Sequence, residues 1–284
     1  MIEQAIVMGG NQSLVGIVTE PEPPWNGSAA LVLNAGMVHR VGPSRLGVRL
    51  ARQLAKEGYR VVRFDHSGVG DSWRQPGESR SWEDLLVSET REVMDGLADL
   101  YDVRKFIVVG LCSGAVTAFR TATVDERVSG IVMINAMGHS TDDDWNMRIR
   151  SRKWVSDYVT KSAVSIDSWK RALTGRIRYR RLYKVLTKRA AGWLFEPKRI
   201  KEITNQTRSQ FREVLGRGIR TLVVHSSADS SFDYFNTVVK PEVESLRGSG
   251  DFDYKIIDET DHTFTVLDKQ RDLVDTIATW ANRS

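Results

Sequence analysis

The chain has 284 residues, of which 41% are hydrophobic and 27% are charged, as expected for an ordinary folded protein with one domain and an inserted subdomain. No stretch approaches the roughly 18 uninterrupted apolar residues that cross a bilayer, and the first ten residues lack a basic region followed by a long apolar run. We therefore expect a cytoplasmic protein without a membrane span, and the single cysteine excludes an intramolecular disulfide.

Short β-branched runs alternate with amphipathic helices in the first half of the chain. This pattern predicts a mostly parallel sheet with helices on both faces. Leucines at helical spacing predict a helix over residues 45–57, and Ser81 with Asp84 three residues later marks the start of another. About eight strands are predicted, at residues 5–8, 14–19, 29–34, 60–64, 106–109, 128–135, 221–225 and 254–257.

The alternation lapses between residues 139 and 217, where the sequence is typical of helices and rich in Trp and Arg. We interpret this segment as a helical cap, or lid, inserted into a core formed by residues 1–138 and 218–284. The segment contains 20 Lys and Arg against 8 Asp and Glu, whereas the rest of the chain contains 21 against 28. The net charge of +5 therefore arises in the predicted cap, which would attract an acidic partner.

A strand followed by Gly110, Cys112 and Gly114 and then by a helix fits the Gly-X-nucleophile-X-Gly pattern, with Cys in the nucleophile position. Such a sharp turn holds the nucleophile in a strained conformation, and the glycines prevent collisions between strand and helix. The helix N-terminus favours a thiolate, and the amide of Ser113 can stabilise an oxyanion. We therefore predict a nucleophilic role for Cys112 rather than simple packing.

Three segments together carry a resemblance to the α/β-hydrolase superfamily over nearly the whole chain. They are Asn-Ala-Gly-Met-Val-His-Arg-Val-Gly-Pro at residues 34–43, Arg-Phe-Asp-His-Ser-Gly-Val-Gly-Asp-Ser at 63–72, and the Gly-Leu-Cys-Ser-Gly turn. Within the superfamily the sequence is most similar to the small hydrolases encoded with exosortase and exopolysaccharide systems, in the serine-aminopeptidase-like or lysophospholipase-like branch. The resemblance implies the α/β-hydrolase fold, with an eight-stranded, mostly parallel sheet and a helical cap, and an acyl or ester substrate.

The family order of nucleophile, acid and histidine implies that the acid and the histidine follow the last two strands. Asp229 in Ser-Ser-Ala-Asp and His262 in Glu-Thr-Asp-His match these positions. Asp233 is the alternative acid, and Asp261 is less suitable because a side chain adjacent in sequence usually points away from the imidazole.

The resemblance further implies an oxyanion hole formed by the backbone amides of Met37 and Ser113. His39 lies in the same loop and is a candidate for contacting substrate. The turn containing Asp65, Gly68, Gly70 and Asp71 is structural in the family. No metal-ligand spacing or dinucleotide fingerprint is present, so we expect no cofactor.

These features predict an acyl-processing enzyme that forms an acyl-Cys intermediate, as a thioesterase, esterase or acyltransferase. The expected partner is a small-molecule acyl donor, either anionic or bound to coenzyme A or a carrier protein, and not a nucleic acid. The alternative is a binding protein on a catalytically inactive hydrolase scaffold. The sequence does not indicate an oligomeric state.

Overall fold

The computed structural model describes residues 1–10, 12–74, 76–136, 198–247 and 251–283. Two compact units are distinguished along the chain, Met1–Gly138 with Ser209–Ser284, and His139–Arg208. Most of the predicted cap at 139–217 lies outside the described residues, so the cap stays a prediction. Within the described ranges, no helix is both long and apolar enough to cross a membrane.

One eight-stranded sheet forms the centre of the first unit, with the strand order β1-β2-β4-β3-β5-β6-β7-β8. Strand β2 pairs antiparallel with β1 and with β4, and all the other pairs are parallel. The strands are β1 (Glu3–Met8), β2 (Leu14–Thr19), β3 (Ser28–Val32), β4 (Arg60–Phe64), β5 (Lys105–Leu111), β6 (Val128–Ile134), β7 (Arg220–Ser226) and β8 (Phe252–Ile257).

Helices connect these strands in the part of the chain that the structure describes. They are α1 (Leu46–Lys56), α2 (Trp82–Tyr101), α3 (Ser113–Val124), α4 (Lys198–Gly216), α5 (Ser230–Tyr234), α6 (Lys240–Val243) and α7 (Leu267–Ala281). Short 3₁₀ turns at Pro43–Arg45 and Glu244–Leu246 and a π-helical turn at Phe235–Val239 complete the connections.

The sheet is covered on both faces, because successive side chains of a strand point to opposite sides. On one face, Ile107 and Val109 of β5 join a buried cluster with residues of α1 and α7. On the other face, α3 packs on β5 and β6 and contacts α2. Apolar residues on both sides explain why the central strands occur in the sequence as nearly continuous β-branched runs.

The predicted α/β architecture is confirmed, and all eight predicted strands are present with ends shifted by a few residues. Helix α2 begins as predicted, since the Ser81 hydroxyl accepts a hydrogen bond from the Asp84 amide at 3.2 Å. Helices α5, α6 and α7 were not predicted from the sequence.

Candidate active site

Cys112 lies alone between β5 and α3, in the turn that the glycine pattern predicted. Its backbone has φ 58° and ψ −117°, a positive-φ conformation outside the left-handed helical region that side-chain-bearing residues adopt only when their surroundings enforce it. The Cys112 amide donates a hydrogen bond to the Ile134 carbonyl at the end of β6, at 2.9 Å. The side chain is partly exposed. The strand, the helix and this hydrogen bond together hold the thiol at the carboxyl end of the central strand β5.

The glycines on either side of Cys112 are required by packing. A Cβ added to Gly110 would lie 2.1 Å from the carbonyl carbon of Gly114, and one added to Gly114 would lie 2.5 Å from the carbonyl oxygen of Asn34. Both separations are far below ordinary van der Waals contact. Strand, helix and the Asn34 loop therefore approach so closely that neither position accepts a side chain.

His262 contacts both the thiol and a carboxylate. Its Nδ1 lies 2.6 Å from Oδ2 of Asp229, and its ring also interacts with the Cys112 side chain. Because Nδ1 faces the carboxylate, Nε2 is the nitrogen that remains for the thiol. The structure thus brings together Cys112, His262 and Asp229, which are separated by 150 residues of sequence at most.

Asp229 is fixed by its position at the start of α5. It is the N-cap of that helix, and its Oδ1 accepts a hydrogen bond from the Ser231 amide at 2.8 Å, which leaves Oδ2 for His262. Burial raises the pKa of the Asp229 carboxyl, but the hydrogen bonds from His262 and Ser231 outweigh burial and lower it to about 2. Asp229 is therefore ionised at neutral pH and can orient the imidazole.

The surroundings of His262 favour its charged form. The hydrogen bond with Asp229 is the largest cause, and that with Cys112 is the second. Together they outweigh burial and raise the pKa of His262 from 6.5 to about 10. The ring is therefore an imidazolium across the neutral range, and such a neighbour stabilises a thiolate.

The other two candidate acids lie close by in sequence, and the contact described above to Nδ1 of His262 is made by Asp229. Asp261 shapes its own loop, since its carboxylate accepts hydrogen bonds from the Thr265 amide at 2.8 Å and from the Thr263 hydroxyl at 3.2 Å. Asp233 lies further along α5. The contact of Asp229 with Nδ1 at 2.6 Å is the geometry expected of an orienting acid, and the choice between Asp229 and Asp233 stays a prediction.

The loop after β3 contains the predicted oxyanion amide of Met37. A turn closed by a hydrogen bond from the Val38 amide to the Ala35 carbonyl at 3.1 Å places Gly36 in a left-handed conformation with φ 57°. The Gly36 amide donates to the Ser113 hydroxyl at 2.8 Å, which joins this loop to the residue after Cys112. Neither the Met37 amide nor the Ser113 amide has a hydrogen-bond acceptor among the described residues.

A buried carboxylate anchors this loop from behind. The fully buried Asp65 accepts hydrogen bonds from the Arg40 amide at 2.5 Å and the Asn34 side-chain amide at 3.1 Å, and it forms an ion pair with the Arg40 guanidinium. A Cβ added to Gly70 would lie 2.2 Å from the Asp65 carboxylate. These contacts agree with a structural role for the turn that contains Asp65 and Gly70. The contact between Arg40 and Asp65 was not predicted from the sequence, where Arg40 is simply a basic residue in the predicted oxyanion loop.

The remaining described histidines differ in burial. His66 and His225 are buried, and burial lowers the pKa of each to about 4. His66 is hydrogen-bonded to Asn34 and His225 to Ser231, so both are neutral structural residues. His39 is exposed and lines a cavity of about 20 Å³ beside the oxyanion loop, so its contact with substrate stays a prediction. Within the described ranges no group of three or more His, Cys, Asp or Glu side chains is placed to hold a metal ion.

Comparisons with known proteins agree with this architecture. A family model described as the alpha/beta hydrolase fold matches residues 30–164, slightly less than half of the chain. No curated protein matches the sequence.

Solved structures of low sequence identity align with nearly the whole chain and share its fold. An alpha-beta serine hydrolase homologue from Coxiella burnetii is 13% identical with a TM-score of 0.58, covering 97% of this chain and 96% of its own. An α/β serine hydrolase without a lid from Xanthomonas campestris is 15% identical with a TM-score of 0.55, at 99% and 94% coverage. A proline iminopeptidase-related protein from Thermus thermophilus is 17% identical with a TM-score of 0.57, at 100% coverage of both chains. The protein therefore has the α/β-hydrolase fold.

Proposed function

We propose that this protein is an acyl-processing enzyme in which Cys112 is the nucleophile, His262 the general acid and base, and Asp229 the residue that orients His262. The observation that carries the proposal is the position of His262, whose ring interacts with the strained Cys112 and whose Nδ1 lies 2.6 Å from Oδ2 of Asp229. A thiol, an imidazole and a carboxylate in this order form a catalytic triad.

The imidazolium and the thiolate define the first half of the reaction. The thiolate sulfur attacks the acyl carbonyl carbon, a C–S bond forms, and the carbonyl electron pair moves onto oxygen. The amides of Met37 and Ser113 stabilise this oxyanion, and each such donor is worth roughly 100- to 1,000-fold in rate. When the tetrahedral intermediate collapses, the leaving group takes the proton from Nε2 of His262, and an acyl-Cys112 thioester remains.

The second half of the reaction decides between hydrolysis and transfer. His262, now neutral, removes a proton from water or from an amine, alcohol or thiol acceptor, which attacks the acyl-Cys112 carbonyl and restores the thiolate and the imidazolium. A thioester is attacked readily by amines and thiols relative to water. We therefore expect a thioester or activated ester as donor and favour transfer over hydrolysis.

The central test is the mass of the intact protein after incubation with p-nitrophenyl esters and acyl thioesters of coenzyme A. We expect an acyl adduct on the wild type and none on Cys112→Ala, with loss of product release in the variant. Because Cys112 is the only cysteine, thiol labelling reports on it alone. Full activity of Cys112→Ala would refute the proposal, and it would leave the inactive binding protein or another nucleophile as the explanation.

Serine occupies the nucleophile position in enzymes of the kind named for two of the structural neighbours, so Cys112→Ser is a useful companion variant. We expect it to retain at most weak hydrolysis. At pH 6, iodoacetamide should alkylate Cys112 faster in the wild type than in His262→Ala, since only the wild type has an imidazolium beside Cys112 and a cationic neighbour favours the reactive thiolate. Equal alkylation rates would show that His262 does not activate the thiol.

The role of Asp229 has a matched control in the same helix. Asp229→Asn should lower kcat by about 10⁴-fold, because an amide donates to Nδ1 and favours the wrong tautomer. Asp233→Asn makes the same chemical change four residues further on and should be mild. A severe effect of Asp233→Asn with a mild effect of Asp229→Asn would reverse the assignment.

The donor is proposed to be small and either anionic or attached to coenzyme A or an acidic carrier protein. The support is the charge of residues 139–217, which contain 20 basic against 8 acidic residues. Raising the ionic strength from 0.1 to 1 M shortens the screening length from roughly 10 to 3 Å. We expect kcat/KM for such a donor to fall steeply with salt, while that for a small neutral ester stays constant. A flat response for the anionic donor would contradict steering by charge.

A further inference from the structure

We infer that Asn135, the first residue after β6, is a positioning residue that sets the geometry of His262 and Asp229. This inference rests on the proposed function. Asn135 is fully buried and has φ 45°, a left-handed conformation that asparagine tolerates better than most residues. It belongs to none of the sequence motifs described above.

The side chain of Asn135 connects the acid loop to the histidine loop. Its Oδ1 accepts a hydrogen bond from the Ser226 amide at 2.8 Å, and its Nδ2 donates to the His262 carbonyl at 2.8 Å. Ser226 is itself tied to the acid, since its carbonyl accepts a hydrogen bond from the Asp229 amide at 3.1 Å. One amide group therefore spans the two loops whose side chains meet at the Nδ1–Oδ2 contact.

The backbone next to Asn135 holds the third member of the site. The Asn135 amide donates to the Val224 carbonyl in β7 at 2.8 Å, and the preceding carbonyl, of Ile134, accepts the Cys112 amide at 2.9 Å. The end of β6 thus contacts the nucleophile turn, the acid loop and the histidine loop. A shift of any of these loops relative to the others must strain or break a bond at residues 134 and 135.

The histidine loop needs such an anchor because its own backbone is strained. Glu259 and Phe264, on either side of His262, have φ values of 57° and 55°. Residues other than glycine hold this conformation only when contacts enforce it. The Asn135 side chain supplies a contact directly at His262, whereas the hydrogen bond from Gln270 to the Phe264 carbonyl, at 3.2 Å, holds only the far end of the loop.

The test compares Asn135→Gly with Thr19→Val. Glycine adopts φ 45° freely, so the first variant removes both side-chain hydrogen bonds without backbone strain or added charge. Thr19→Val removes a buried hydroxyl that donates to the Glu3 carboxylate at 3.3 Å. Thr19 ends β2 opposite the start of β4, away from the three loops, so this variant serves as a control for general loss of stability. We measure kcat and KM with a p-nitrophenyl ester, and follow the His262 ring by NMR as a function of pH.

We expect Asn135→Gly to lower kcat roughly 100-fold with little change in KM, because a displacement near 1 Å has effects of this size. The pH midpoint of the His262 ring should fall, since its bond to Asp229 loosens, while Thr19→Val changes neither kcat nor the midpoint. Wild-type kcat and midpoint in folded Asn135→Gly, or the same losses in Thr19→Val, would overturn the inference.

A second variant and a second measurement distinguish failure of this inference from failure of the proposed function. If Asn135→Gly does not fold, Asn135→Asp keeps the shape and the acceptor for Ser226, and once it is ionised at high pH its carboxylate cannot donate to the His262 carbonyl. In that pH range it should show the same loss of kcat, and wild-type kcat there would overturn the inference. If Cys112→Ala proves fully active, the proposed function fails, but the midpoint of His262 in Asn135→Gly still decides whether Asn135 positions the ring.

Discussion

Gly114→Ala tests whether close packing between α3 and the oxyanion loop fixes the geometry of the site. Gly114 lies in the first turn of α3 and has no positive φ, so alanine should by itself favour the helix by about 1 kcal/mol. Its Cβ would, however, lie 2.5 Å from the Asn34 carbonyl oxygen, and the two atoms must separate by about 0.5 Å to reach the 3.0 Å below which real contacts are not seen.

This displacement has to move Cys112 relative to the Met37 amide. The Asn34 side chain is bonded to the buried Asp65, so the loop cannot yield without disturbing that anchor, and movement of α3 shifts Cys112 instead. A displacement of this size predicts a fall in kcat of roughly 10- to 100-fold. Overpacking predicts a loss of about 1–3 kcal/mol in the free energy of unfolding.

The assay is the initial rate with a p-nitrophenyl ester, combined with urea denaturation and alkylation of Cys112 to establish that the folded site is present. Gly216→Ala is the matched control, because a Cβ at that exposed helix end meets nothing within 4 Å. It should leave kcat unchanged and stability equal or slightly higher. Wild-type kcat in Gly114→Ala would refute the argument that this contact sets the distance between nucleophile and oxyanion loop.

Three further predictions concern the same loops. Gly110→Ala places a Cβ 2.1 Å from backbone atoms of α3, so urea denaturation should reveal a loss of more than about 3 kcal/mol, and a wild-type midpoint would contradict this packing. Asp229→Asn removes the largest cause of the raised pKa of His262, so the NMR titration midpoint should fall from about 10, and an unchanged midpoint would contradict the assignment. Ser113→Ala removes the acceptor of the Gly36 amide at 2.8 Å and should lower kcat several-fold, and equal kcat would show that this bond is dispensable.

Local signals explain what the sequence could predict. Parallel strands covered on both faces occur as short β-branched runs, so all eight strands were recognisable. The glycines around Cys112 indicated close packing, and in the structure a Cβ added to Gly110 or Gly114 would lie only 2.1 or 2.5 Å from the nearest backbone atom. The N-cap of α2 was predicted because a hydroxyl and a carboxylate three residues apart satisfy free amides at a helix start. The positions of His262 and Asp229 followed only from the resemblance.

Contacts between distant segments could not be predicted from one sequence. Asn135 and His262 are separated by 127 residues, and a single asparagine at the end of a strand gives no sign of its partner. The anchoring of the oxyanion loop by Asp65 likewise depends on how β3 and β4 bring two turns together. The short helix α5 was missed because its five residues are too few for helical periodicity, although Asp229 is a typical N-cap residue.

The parallel arrangement of the central strands explains why these distant residues converge. Strands β5, β6, β7 and β8 are neighbours and run in the same direction, so their carboxyl ends lie along one edge of the sheet. Cys112, Asn135, Asp229 and His262 each follow one of these strands, in the same order along the chain as across the sheet. Each strand thus supplies one member of the candidate site. Because β6 lies between β5 and β7, the Asn135 side chain at its end can contact the loops of Asp229 and His262. A site built this way depends on register, because a slip of one residue in β6 would turn Asn135 to the opposite face and release the His262 carbonyl.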